Sequence, residues 1–384
     1  MIKIVYVLPT LVSSGGTERI ITQKANYLAE QFGYDVSIIC CNQQPNRPNF
    51  YFVSTKVKQI FLGIPYYTQY LYKYPKRLWI KFRINLQLKK KLTRAIRQIH
   101  PDILIGIGQF NANMVCTIPS KAIRIIECHD AKYFMKSNME NRTYLTKLYR
   151  NLYLKFYYHT IERHADLVIT LTDGAKELWN KARRVVIIPN FSSMSVLRIS
   201  NCTSKRVIAV GRLSAEKDFD RLIDIWKSVS KKYPDWHLDI YGEGELKNAL
   251  NKKITTNKIK NITLREACKT ISQEYATSSI LAVTSHLEAF SLVILEAMRH
   301  GVPCIAFDCP YGPRTIIENN HSGFLVEDGN NTLYEERLCQ LIEDMELRER
   351  LSAASLERAH CFNTNAIMLK WKTLFENLVI EKKL

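Results

Sequence analysis

Short apolar runs recur along the chain, each closed by a glycine, a proline or a small polar cluster. Most are separated by stretches whose apolar residues return at helical spacing. The first run is IKIVYVLP. It is followed by the loop SSGGTER, a helical pattern in RIITQKANYLAEQF and a second run in YDVSIICC. Near-continuous apolar runs of this kind predict strands covered by helices on both faces, hence βαβ units and a parallel sheet. VKQIFLG, DILIGIG, AIRIIEC, ADLVITLT and RRVVIIPN continue the series. After IPNF the pattern restarts, with RVIAVGRL, WHLDIYGEGE, NITLRE, SILAVTS, VPCIAFD and SGFLVED reading as strands. The pattern predicts two doubly wound α/β domains, 1–190 and 205–363, joined by a linker at 191–204. A closing helix at 364–384 is expected to pack back.

A chain of 384 residues suits two such domains. Charge divides them sharply. Residues 1–200 hold 30 Lys and Arg against 11 Asp and Glu, whereas residues 201–384 hold 25 of each. Residues 51–100 carry 12 basic residues and no acidic one. The first half therefore calls for an anionic partner: a membrane leaflet, a nucleic acid or a phosphorylated substrate. The ten cysteines form no C-x-x-C pair, which argues against a zinc site and against a disulfide framework. No basic leader precedes the first apolar run, and no window reaches the ~18 apolar residues of a membrane span. These features together predict a cytoplasmic protein with reduced thiols.

Doubly wound sheets bind ligands at the carboxyl ends of their strands, so candidate chemistry is sought there. Gly15 and Gly16 close the first strand and open a helix, where backbone could approach a phosphate; the pair also reads as a plain turn, and it is not a G-x-G-x-x-G fingerprint. Gly211 and Arg212 end the strand VIAVGRL, with Lys217 five residues beyond Arg212. Two cations there suit a diphosphate, or are simply solvated beside Glu216 and Asp218. Asp218 and Asp220 could suggest a metal-binding D-x-D. They directly precede the helix RLIDIW, where aspartate caps are favoured, and capping is the expected role. In SHLEAFSLVILEAMRHGVPCI, Glu288 falls in a strand-to-helix loop and Glu296 lies within the helix. The free N–H groups of Ser291, Leu292 and Val293 at that helix start could hold a phosphate. The glutamates stand roughly 8–12 Å apart along a helix rising ~1.5 Å per residue. That is too far to share one proton transfer, and it suits the two ends of a long ligand.

VGRLSAEKDFDRLIDIW, YGEGELK and SHLEAFSLVILEAMRHGVPCIAFDCPYGPRTIIENNHSGFLVEDGN together resemble glycosyltransferase family 4, retaining enzymes of the GT-B fold. That fold is two Rossmann-like domains facing across a cleft, the first taking the acceptor and the second a nucleotide-sugar donor. The resemblance extends to GGTER and to the segment ADLVITLT…VVIIPN, so it covers nearly the whole chain. It implies that Glu288 contacts donor-sugar hydroxyls, that Glu296 contacts the nucleotide ribose, and that Arg212 and Lys217 bind the diphosphate leaving group without a metal. It places Gly16 near the phosphates and His129, after AIRIIEC, near the donor sugar, although a lone histidine is as readily structural. The family often has EGFG where this chain has EAFS, so Ala289 replaces a glycine and Ser291 offers a hydroxyl. CPYGPRTII resembles members that build bacterial surface polysaccharide or lipopolysaccharide, and a uridine diphosphate donor is expected.

The basic first half interleaves aromatics with cations. Tyr66, Tyr67, Tyr70, Tyr72, Tyr74 and Trp79 alternate with Lys73, Lys76, Arg77, Lys81 and Arg83. A second stretch adds Tyr149, Tyr153, Phe156, Tyr157 and Tyr158. Rings with Lys and Arg at their margins suit the headgroup layer of an anionic membrane, so Tyr70, Lys73, Lys76, Arg77, Trp79 and Lys81 are the expected membrane and acceptor face. No nucleic-acid module is recognisable, and nucleic acid is not expected as a partner. The expectation is a peripheral enzyme on the inner face of the plasma membrane, acting on a lipid-linked or membrane-bound glycan. A soluble acceptor on the same fold, or a basic binding module without turnover, are the alternatives.

Overall fold

The computed structural model describes the chain except residues 14, 74, 109–111, 130–143, 197 and 269, together with the side chains at 144–146 and 149. Tyr74 and the Tyr149 side chain, both counted among the interfacial aromatics, lie outside the described residues. Every anticipated strand forms. The first sheet contains β1 (Lys3–Leu8), β2 (Asp35–Cys40), β3 (Lys58–Phe61), β4 (Ile103–Ile107), β5 (Ile123–Glu127), β6 (Leu167–Thr170) and β7 (Val185–Ile187). The second contains β8 (Arg206–Val210), β9 (His237–Tyr241), β10 (Ile262–Arg265), β11 (Ile280–Val283), β12 (Cys304–Phe307) and β13 (Gly323–Val326). Strand order is β3-β2-β1-β4-β5-β6-β7 in one and β10-β9-β8-β11-β12-β13 in the other, and every pairing is parallel. In both sheets the order reverses beside the first strand, between β1 and β4 and between β8 and β11. Those reversals are the switch points where doubly wound sheets open a crevice.

The chain divides into two compact units. One comprises Met1–Leu171, Ala175–Ile188 and Ile367–Leu384; the other comprises Thr172–Gly174 and Pro189–Ala366. Each has its own core, around Val5, Leu88, Leu104 and Tyr157 in the first and around Val207, Trp226, Ile240 and Ile305 in the second. The closing helix, Thr364–Lys383, contributes Trp371 and Phe375 as buried residues, and from Ile367 onward it belongs to the first unit. Residues 191–204, read in the sequence as a linker, pack onto the second unit. Phe191 and Cys202 are buried, the Ser200 amide donates to the His300 carbonyl at 2.8 Å and its hydroxyl donates to the Ser278 carbonyl at 2.6 Å.

Asp218 caps the Phe219–Lys232 helix, accepting from the Arg221 amide at 3.3 Å and from the Arg221 guanidinium at 2.7 Å. Asp220 is held by Lys253 at 2.7 Å. Two aromatics assigned to the interfacial stretch are corrected by their burial: Tyr157 and Tyr158 face the core, stacked edge-on against each other. The Tyr144–His164 helix turns Leu148, Leu152 and Phe156 to solvent in their place. Lys81 is half-buried over the Tyr153 ring at 4.6 Å, and burial followed by the neighbouring Arg77 charge pushes its pKa down.

The turn after β9 is built against the turn after β8. A Cβ on Gly242 would stand 1.8 Å from the Gly211 carbonyl oxygen, and one on Gly244 would stand 2.3 Å from that of Leu213. Gly242→Ala should destabilise the second unit by about 1–3 kcal/mol. The check is a melting temperature several degrees below wild type.

Candidate active site

In the second unit, the turn after β8 and the loop after β11 meet at the switch point. Residues Ala215–Lys217 form a short 3-10 turn beside Gly211. The Thr284 hydroxyl donates to the carbonyls of Lys217 and Asp218 at 3.2 and 3.0 Å, and the His286 amide donates to that of Glu216 at 3.0 Å. This clamp brings the Lys217 ammonium to 2.5 Å from the Glu288 carboxylate, which also accepts from the Ser285 hydroxyl at 2.8 Å. Glu288 is buried and Lys217 half-buried. A lone carboxylate there would pay heavily for desolvation, and the Lys217 contact offsets part of that cost. Gly211 packs against the Lys217 stem, 3.4 Å being the distance a Cβ would have from it. Arg212 is not part of this contact. It is 64% exposed, and its guanidinium is 3.9 Å from Glu216.

The loop after β12 closes over Glu288, which forms a backbone bridge to Tyr311. A Cβ on Gly312 would stand 2.8 Å from the Glu288 Cβ and carbonyl oxygen, so the close approach requires glycine. The helix Leu292–Arg299 starts directly after the β11 loop that carries Glu288, with no side-chain cap. Its preceding residue, Ser291, has φ 25° and ψ 78°, in the left-handed region that disfavours any side chain. The Ser291 hydroxyl is buried and has no hydrogen-bond partner among the described residues. In EAFS, serine thus occupies a backbone position suited to glycine and carries a buried hydroxyl that bonds nothing among the described residues.

Glu296 is buried one turn further, with the Tyr275 hydroxyl donating to it at 3.3 Å. Beneath it the His300 ring is buried, bonded to the Glu296 carbonyl at 2.7 Å and to the Ser272 hydroxyl at 2.7 Å. Burial, the largest cause, pushes the His300 pKa below its ordinary 6.5.

In the first unit, Gly15 precedes and Gly16 begins the helix Gly16–Glu30. The Glu18 carboxylate lies over Gly15 and accepts from the Ser13 hydroxyl at 2.6 Å. His129 is buried just past β5, its Nε2 3.5 Å from Glu127. Glu127 in turn pairs with Lys24, from the first helix, in a wholly buried contact. The Lys24 ammonium lies 4.0 Å from the Trp371 ring centre, on the closing helix, and burial drives its pKa well below 10.5. Nothing in the local pattern announced this pair, since Lys24 and Glu127 are far apart in sequence and each reads as a surface charge. Among the described residues, no group of three His, Cys, Asp or Glu is placed to hold a metal ion.

A family model described as glycosyl transferases group 1 matches residues 199–358, and one described as glycosyltransferase family 4 matches residues 14–193. The two matches together span most of the chain, which is a glycosyltransferase of the GT-B fold. It is 29% identical to an uncharacterized glycosyltransferase of Haemophilus influenzae, over 97% of this chain and 99% of the relative. The amylovoran biosynthesis glycosyltransferase AmsD of Erwinia amylovora is 26% identical over the same shares. A crystal structure of S. aureus TarM in complex with Fondaparinux, α-GlcNAc-glycerol and UDP shares the fold, with a TM-score of 0.77 and 16% identity over 98% of this chain and 100% of that one.

Two outcomes test the geometry of this glycosyltransferase. Ser291→Gly removes left-handed strain costing about 1–2 kcal/mol and an unmet hydroxyl, so it should raise the melting temperature. For His300, a folded pKa below the unfolded one means that the unfolded chain takes up the proton first. Stability should be full above pH 6.5 and fall as the pH drops through that value. His300→Asn should flatten that dependence in thermal melts between pH 7.5 and 5.

Proposed function

We propose that this glycosyltransferase moves a sugar from a UDP-sugar, with retention, to a lipid-linked or membrane-bound glycan in surface polysaccharide or lipopolysaccharide biosynthesis. It would act at the inner face of the plasma membrane as a peripheral protein. The observation that carries the reading is the meeting of Lys217 and Glu288 at the β8/β11 switch point, beside an uncapped helix start with an orphan hydroxyl. UDP in the complex of a structurally similar protein, and polysaccharide synthesis by a relative, support the donor class and the pathway.

The chemistry follows from where charge develops. As the anomeric carbon–oxygen bond to phosphate breaks, negative charge gathers on the departing diphosphate and positive charge on the sugar. Lys217 and Arg212 face the first, joined by the amides of Leu292 and Val293 and the Ser291 hydroxyl. Glu288 accepts hydrogen bonds from the donor sugar and Glu296 from the ribose. The acceptor hydroxyl attacks the same face that the phosphate leaves, and its proton passes to the departing phosphate oxygen. Every bond then balances without a protein nucleophile, and configuration is retained. The cations at the diphosphate take the place a metal would occupy, so a chelator should leave turnover unchanged.

The test begins with thermal stabilisation by UDP in the presence of EDTA. Wild type should be stabilised, Arg212→Ala/Lys217→Ala should not, and Ser291→Gly should show a smaller shift than wild type. Glu288→Gln should lower turnover about 10²–10³-fold, the range for losing one transition-state hydrogen bond. The anomeric coupling constant of the product, read by NMR, should match that of the donor. An inverted product would overturn the retaining mechanism, and an unchanged shift in the double variant would overturn the donor site.

A further inference from the structure

The outer face of the helix Lys76–Ile99 divides into two zones. Its inner face is apolar and buried, through Ile84, Leu88, Leu92, Ala95 and Ile96. On the opposite side, at the same helical phase, Trp79, Phe82 and Leu86 are each more than half exposed. Further along that side the exposed residues turn cationic, as Lys89, Lys90, Arg94 and Arg97. Leu86 and these four cations share one open side of the helix. The helix contains no acidic residue.

The apolar zone continues beyond this helix. Tyr67, Tyr70 and Leu71 in the turn before it are more than half exposed. The Lys81–Tyr153 contact ties the helix to its neighbour Tyr144–His164, where Leu152 and Phe156 are again more than half exposed. So much exposed apolar surface on these neighbouring elements needs an occupant. Several cations sit on rings in the manner of side chains working between oil and water: Arg77 over Tyr70 at 4.4 Å, Lys76 over Tyr72 at 4.8 Å and Arg83 over Trp79 at 4.8 Å.

We infer that this face docks on an anionic bilayer, with Trp79, Phe82 and Leu86 entering the acyl boundary and the exposed cations Lys89, Lys90, Arg94 and Arg97 holding lipid phosphates. A second copy of the chain would set cations against cations. A nucleic acid would meet the cations but leave Leu71, Leu86 and Leu152 in water. Only an anionic lipid surface matches both zones at once. None of the described helices is long and apolar enough to cross a membrane, so the contact is interfacial. The inference rests on the membrane-bound acceptor proposed above and adds to it which residues dock and what each zone contributes.

The experiment is co-sedimentation of the full chain with vesicles of phosphatidylcholine alone or with one-third phosphatidylglycerol. Tryptophan emission and UDP stabilisation are recorded in parallel. Wild type should bind the anionic vesicles at least tenfold more tightly, with a blue shift that Trp79→Phe reduces. Lys89→Gln/Lys90→Gln/Arg94→Gln/Arg97→Gln should erase the lipid preference. Phe82→Ser/Leu86→Ser should keep the preference but weaken binding and make it more salt-sensitive. Both variants should keep the UDP shift, since neither touches the second unit. Equal binding to both vesicle types, or variants that bind like wild type, would sink the docking face while an intact UDP shift leaves the donor site standing. Tighter binding to single-stranded nucleic acid than to vesicles, or dimerisation abolished by Phe82→Ser/Leu86→Ser, would overturn it in favour of those occupants.

Discussion

The contact between Lys217 and Glu288 is the one on which the second unit's site depends. It joins the ends of two strands that are neighbours in the sheet but lie far apart in sequence, and it does so where water is largely excluded. Either group alone would be a costly buried charge, so the surrounding backbone is organised to keep them together. Thr284 and His286 hold the turn that carries Lys217. Gly312 lets the next loop lie directly on Glu288. Gly242 and Gly244 allow the turn after β9 to press against the same corner. The result is a corner whose polar groups are fixed by packing and by a charge pair.

The first unit solves a related problem in another way. Lys24, Glu127 and His129 bring titratable groups into a region with almost no solvent, and the closing helix covers them with Trp371. An ammonium over an indole face gains attraction that partly offsets its lost hydration. The return of the chain's last helix to its first unit therefore has a local electrostatic reason as well as an apolar one.

The uneven charge of the two halves gains meaning from helix geometry. The excess of cations in residues 51–100 is concentrated on the exposed side of one helix and the turn before it, beside exposed rings, and is not spread evenly over a surface. Composition alone pointed to an anionic partner. That exposed apolar residues are followed by cations further along the same side of the helix depends on helical phase and position, which composition does not report.

The sequence by itself determined the architecture. Strands buried on both faces must be almost continuously apolar, and all thirteen stand out against the polar helices between them. It also showed which candidate residues lie at the ends of strands, because strands and the loops after them are legible from local pattern. Asp218 as a cap was legible for the same local reason. What only the tertiary structure decided are the relations across the sheet: that Lys217 reaches Glu288 while Arg212 stays in solvent, that Tyr157 and Tyr158 turn inward, that Lys24 finds Glu127, and that Gly242, Gly244 and Gly312 are close-approach positions. These depend on which residues of distant segments come face to face. Periodicity reports the environment of a single element, whereas a pair or a close approach belongs to two elements and exists only once both are packed.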